Sequence, residues 1–177
     1  MKRIAAIILA LSMIFSLIGC NRILGGAILE NFGMDFTSQI EMMEECLDVD
    51  LDDLNDSNIK TIYSHTDPEG NDLTIKYIDL DGAGDVFEND IENRENWNTL
   101  PYNTTVETLL KSSGANEQFA FDDIKEGRFI ISGVSLGKDE FDFDYNNLNN
   151  WYSFNIGIWD SNAETLYYIS ITDQSKT

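Results

Sequence analysis

The chain has 177 residues, 32 acidic and 11 basic, with a single histidine and a formal net charge of −21. Nucleic-acid binding draws its affinity from neutralised phosphates, so this balance excludes it as a partner class. One histidine excludes zinc sites built from several imidazoles, and the length suits one domain behind any targeting segment.

The first residues form three zones. Lys2 and Arg3 are a short positive segment, Ile4 to Ile18 are apolar apart from Ser12 and Ser16, and Leu17-Ile18-Gly19-Cys20 follows. This is the layout of a secretory signal. Its apolar run is shorter than the roughly 20 residues that span a bilayer. The last four residues resemble the lipobox of bacterial lipoproteins. That resemblance implies diacylglyceryl transfer to the Cys20 thiol, cleavage after Gly19, and a mature chain held by lipid on the extracytoplasmic side of the cell membrane. Two acyl chains anchor stably where one does not. Residues 1–19 are then the signal peptide, 20–35 the lipidated cysteine and tether, and 36–177 a single domain. Lys2 and Arg3 leave with the signal and no acidic residue does, so the net charge moves from −21 to −23. With Cys20 acylated, Cys46 has no disulfide partner, and its place among apolar helix residues predicts a buried thiol.

Along the domain, Ser38 and Glu41 form an S-x-x-E capping box, predicting a helix to Leu47 with Ile40, Met43 and Leu47 on one face. Residues 59–66 and 72–80 read as a hairpin around Asp67-Pro68-Glu69-Gly70-Asn71. Leu73, Ile75 and Tyr77 alternate with polar residues on its second strand. A short helix begins near Val86, capped by Asp85, and ends before Trp97. A further helix covers 105–112, capped by Thr104 and stopped by Gly114. Residues 129–135 are a strand with a possible bulge at Gly133, and 137–150 are an acidic, Asn-rich loop. The closing hairpin is the clearest element. Tyr152, Phe154, Ile156 and Ile158 line one face, Asp160 to Glu164 turn, and Tyr167, Ile169 and Ile171 line the matching face. The expected fold is α+β: an antiparallel sheet of about five strands with two or three short helices on one face.

Trp97-x-x-Leu100-Pro101, Gly127-Arg128-Phe129, the run from Trp151 to Asp160 and Thr165-Leu166-Tyr167-Tyr168 together resemble small uncharacterised lipoproteins of Gram-positive bacteria. The hairpin at Ser64-His65-Thr66 and Gly70-Asn71-Asp72 extends the likeness. It implies a secreted α+β domain and transfers no catalytic residue.

Four sets of residues bear on chemistry. Asp79, Asp81, Asp85 and Asp90, with Gly84 at the sixth position of a twelve-residue loop, are an oxygen-rich set suited to calcium. Against it, Ala83 stands where an oxygen ligand belongs, Asp90 is shorter than the usual Glu, and a strand precedes the loop. An acidic strand-to-helix turn is the simpler reading. His65 would have to serve as the base of any Ser–His–Asp triad, but no G-x-S-x-G elbow accompanies it, and it reads as a packed or hydrogen-bonded edge residue. Carboxylate pairs for glycoside hydrolysis are uninformative among 32 acids. Trp151, Ser153, Asn155, Gly157 and Trp159 share the strand face opposite the apolar one. Left uncovered, Trp151, Trp159 and Tyr168 would offer an aromatic platform to a glycan or protein; covered by helices, they are core. The leading expectation is a membrane-anchored, non-enzymatic binding module. A calcium-binding surface protein and a small cell-surface hydrolase are the alternatives.

Overall fold

The chain divides between residues 37 and 38, and the computed structural model describes residues 38–134 and 153–172. The signal, Cys20, the tether, the 137–150 loop and Trp151 lie outside the described residues. Helix α1 (Gln39–Leu47) starts on the expected box: Ser38 Oγ accepts from the Glu41 amide at 3.1 Å, and Glu41 Oε2 accepts from the Ser38 amide at 3.3 Å. A second carboxylate adds to it, Asp56 Oδ1 accepting from the Gln39 and Ile40 amides. Negative charge at these amides also suits the helix dipole. Ile40, Met43, Cys46 and Leu47 are buried, the Cys46 thiol among them.

Strands β1 (Ile59–Thr66) and β2 (Asp72–Ile78) form the first hairpin, followed by α2 (Gly84–Glu92) and a two-residue strand β3 (Asn98–Thr99). Helices α3 (Thr104–Ser112) and α4 (Ala115–Gln118) lead to β4 (Gly127–Val134), β5 (Ser153–Asp160) and β6 (Thr165–Thr172). The sheet order is β1-β2-β6-β5-β4-β3, antiparallel at every pairing. The fold is therefore α+β, with β3 the sixth strand. No helix among the described residues is long and apolar enough to cross a membrane.

Several local expectations are corrected. The cap of α3 is Asn103, whose side chain accepts from the Val106 amide at 3.0 Å, so Thr104 is already helical. Helix α2 begins at Gly84 behind Ala83 with no side-chain cap, rather than behind Asp85. Gly133 pairs with Phe154 in unbroken register, and the irregularity falls in β1 between Thr61 and Tyr63.

The helices flank the sheet on both faces, not one. Leu73, Ile75, Ile131, Ile156, Ile158 and Ile169 pack with Val106, Leu109, Leu110 and Phe121, on the side of α3 and α4. Ile78, Ile130, Trp159, Leu166 and Tyr168 pack with Ile40, Met43, Leu47, Phe87 and Ile91, on the side of α1 and α2. Successive strand residues point to opposite faces, and from Phe154 to Trp159 every residue is buried. A strand covered on both sides shows no polar alternation. Gly157 makes the second layer possible. A Cβ there would stand 2.8 Å from both Ile130 Cγ2 and Leu47 Cδ2 and 3.1 Å from Trp97 Cη2. Its hydrogen lets α1 approach the strand, and Trp97 Nε1 ties down the end of that helix by donating to the Leu47 carbonyl at 2.9 Å.

Candidate functional site

Trp159 and Tyr168 present no platform: they are 0% and 2% exposed. Phe87 of α2 lies 5.2 Å from the Trp159 ring and meets Trp97 edge-on at 6.0 Å. The Tyr168 hydroxyl donates to Asn155 Oδ1 at 2.7 Å, and Asn155 Nδ2 contacts Cys46 Sγ at 3.3 Å. These polar groups are spent inside the α1 layer. The aromatic-face expectation fails at both residues because α1 and α2 cover that face.

The twelve-residue cation loop does not form. Its second half, from Gly84 onward, is the first two turns of α2, so Asp85 and Asp90 project from a helix instead of wrapping a centre. Asp79 is committed locally: its Oδ1 accepts from the Asp81 amide at 3.2 Å, and its Oδ2 lies 3.7 Å from Lys60 Nζ. Asp90 Oδ2 accepts from Arg94 Nε at 2.8 Å, and Arg94 Nη1 reaches Asp48 Oδ1 at 3.1 Å. Burial works against the charge on Arg94, but Asp90 and Asp48 outweigh it and hold the guanidinium above its ordinary pKa.

Asp81 and Asp90 do share a different feature. The loop at residues 50–54, the turn at 80–83 and the outer side of α2 enclose a groove of about 480 Å³, within the roughly 300–1,000 Å³ usual for ligand sites. Its floor is apolar, made by Leu51, Leu54, Leu80 and Phe87, and its rim is acidic, made by Asp50, Asp52, Asp53, Asp81 and Asp90. Among the described residues no basic side chain lines it. Val86, on its lip, is 71% exposed, the most exposed large apolar side chain among the described residues.

The walls are fixed by identifiable bonds. Asp48 turns the chain out of α1 in the left-handed conformation, φ 48°. Glu44 Oε1 then accepts from the Leu51 amide at 2.6 Å, holding Leu51 in the floor. The opposite wall turns through Asp81 (φ 52°) and Gly82 (φ 82°). One carboxylate trio, Glu44, Asp50 and Asp52, has oxygens within 4.8 Å of one another. Glu44 is half-committed to the Leu51 amide, so this trio is firstly a loop anchor.

Two other hollows are weaker as sites. One, of about 470 Å³, lies beside α3 and includes Tyr63 and His65; His65 is exposed on the edge strand, its ring centroid 6.3 Å from that of Tyr63. The other, of about 700 Å³, mixes Lys111 and Lys125 with Glu107, Glu117 and Asp122, so its charges offset one another.

Reading the sequence alone missed the groove because its walls lie some thirty positions apart, and each by itself is an ordinary solvated acidic run. The available signal was Leu51 and Leu54 spaced among Asp50, Asp52 and Asp53, apolar residues that an unstructured acidic loop has no reason to carry. No family model, curated protein or solved structure matches the chain.

Proposed function

We propose that this chain is an extracytoplasmic lipoprotein, held at the cell membrane through lipid on Cys20, that works as a non-enzymatic binding module with the acidic groove as its binding surface. One observation carries the reading: a groove of about 480 Å³ with five aspartates around it and the exposed Val86 on its lip. An exposed apolar side chain such as Val86 is favourable to cover, and five like charges gain from an opposite charge.

Cross-linking the lipidated full-length protein on intact cells, followed by mass spectrometry, tests the reading. A recurrent partner protein is expected. Turnover of a wall or surface substrate by the purified protein, abolished by a point mutation, would replace it with the hydrolase reading. Anchoring is tested separately: acyl-chain labelling should mark the wild type and vanish in Cys20→Ala, and retained labelling removes the anchor. The second reading, a divalent-cation site, draws on Glu44, Asp50 and Asp52. A cation bound only by the native state must raise the melting temperature, so no rise with added calcium sets it aside.

A further inference from the structure

We infer that the open edge of β1 is a second binding surface. It takes an extended, basic segment of a partner polypeptide as a further antiparallel strand beside residues 63–66, with a lysine or arginine side chain in the hollow beside α3. The inference draws on none of the groove's residues.

The backbone carries the first half. The two edges of the sheet are unlike: β3 has two residues, whereas β1 has eight and is paired only with β2. The hairpin fixes which groups of β1 face inward, because the Asp67 amide donates to the Asn71 carbonyl at 2.9 Å. Antiparallel pairing alternates, and the register runs unbroken from Tyr63 to Thr66. Tyr63 and His65 therefore turn their N–H and C=O toward β2, and Ser64 and Thr66 turn theirs outward. Both of these are exposed, and no strand among the described residues lies beyond them. Edge strands are commonly blunted by lysine and by bulges. The first half of β1 has both, Lys60 and the register shift between Thr61 and Tyr63; residues 63–66 have neither. What matches such a backbone is another extended chain, whose own groups repeat at the same spacing.

The hollow carries the second half. Taken alone it is weak as a site, but it opens beside this same stretch. Tyr63 and His65 line its 470 Å³ together with Asp67, Asp72, Thr108 and Ser112. Opposite residues of an antiparallel pair place their side chains on one face, so a partner residue across from His65 points there. The chemistry that meets it is that of acceptors. Thr108 and Ser112 spend their hydroxyl protons on the Thr104 and Leu109 carbonyls, at 2.7 and 3.4 Å, and keep their lone pairs. The Asp72 carboxylate makes no ion pair among the described residues, and no described lysine or arginine lines the hollow. A donor-rich cation fits these groups, and the Tyr63 ring offers it a face. A second copy of this chain fits worse as the occupant, because it would bring a net charge of −21 against another −21.

The test uses the full chain in zwitterionic micelles, with empty micelles as blank, titrated against a fluorescein-labelled peptide that alternates arginine with threonine. Saturable binding is expected. Two further peptides keep its charge and lose backbone donors, one N-methylated at every threonine and the other at every arginine. With the arginines facing the hollow, only the threonine amides point at β1. Methylating the threonines should therefore weaken binding at least tenfold, and methylating the arginines less than threefold. In the protein, Asp72→Asn should weaken the unmethylated peptide at least fivefold. Asp53→Asn, an equal charge change in the groove, should weaken it less than twofold. Equal affinity for the three peptides, or equal loss in the two variants, means attraction to net charge alone and overturns the inference. So does a loss on the arginine set instead of the threonine set, or the absence of saturable binding. A loss confined to Asp53→Asn assigns the peptide to the groove and overturns the β1 surface while leaving the groove reading intact. Dimers of the full chain, seen by sedimentation and dispersed by the peptide, would make a second copy the occupant and overturn it as well.

Discussion

The two faces of the sheet are built from the same strands and yet differ in kind. Toward α3 and α4 the layer is aliphatic and aromatic, and its buried hydroxyl, that of Tyr102, donates to the Phe121 carbonyl at 3.3 Å. Burial, and then the charges of Asp122 and Asp160, push that phenol well above its ordinary pKa, so it stays neutral. Toward α1 and α2 the layer contains Asn155, Ser132 and the Cys46 thiol, and its margin runs out into the acidic groove. The first face shows what suffices to hold the sheet. The second shows a core that admits polar groups, some bonded like Asn155 and some, like the Ser132 hydroxyl, without a hydrogen-bond partner among the described residues, and that borders the acidic groove.

Neighbouring residues on β5 put the comparison to its strongest test. Ile156 points to the α3 side and is fully buried. Ile156→Ala should cost about 2–5 kcal/mol through lost burial and the cavity left behind. Asn155 points to the α1 side, and Asn155→Ala should cost about 1–3 kcal/mol through its two lost buried contacts, the bond from the Tyr168 hydroxyl and the one to Cys46 Sγ. Denaturant unfolding of the full chain would measure both. A double-mutant cycle sharpens the second: if the Tyr168–Asn155 bond contributes, Tyr168→Phe should cost less in the Asn155→Ala background than alone. Strict additivity would mean that the Tyr168–Asn155 bond contributes nothing, and the contrast between the faces would reduce to volume.

Much of this fold was legible because local chemistry wrote it. Phe154, Ile156 and Ile158 against Tyr167, Ile169 and Ile171 pair across β5 and β6 in the stated register, and Ser38 with Glu41 capped the helix they predicted. What escaped was tertiary. Asn155 and Gly157 left the other face of β5 open to two readings, a wet platform or covered core, and Gly157 decides it: a larger side chain there would collide with Leu47 and Trp97. β3 has only two residues, too short to show alternation. The groove depends on two loops meeting, and neither loop signals the other. Val86, by contrast, was visible beside Asp85 as an apolar residue at a helix start, though only the structure shows it facing solvent.

A smaller effect probes the edge of the α1 layer. Ser38→Ala removes one acceptor from the α1 N-terminus and should cost about 1 kcal/mol, as cap losses do. Asp56 Oδ1 still serves the Gln39 and Ile40 amides, so the loss should grow when Asp56→Ala is combined with it. If the two losses simply add, the amides are served independently and α1 is not held by a shared cap.

The smallest effect is a pH dependence at the same edge. Lys76 lies on β2 with its Nζ donating to Gln39 Oε1 of α1. Burial lowers its pKa from the usual 10.5, and the charge of Asp56 restores only part of that. The folded protein therefore sheds this proton before the unfolded chain does. The sign follows from linkage: between the lowered folded value and 10.5 the unfolded state binds more protons, so stability rises with pH through that window, and below it the charged lysine works against folding. Tyr102 and Tyr167, both raised first by burial, act oppositely near and above pH 10, where the unfolded chain ionises first. Lys76→Met isolates the lysine, because the tyrosines are common to both proteins. The variant should match or exceed wild-type stability near pH 7, and its advantage should shrink as pH climbs toward 10.5. An advantage that stays constant with pH would mean that Lys76 keeps its ordinary pKa in the folded protein, and that the α1 edge is wetter than the core it borders.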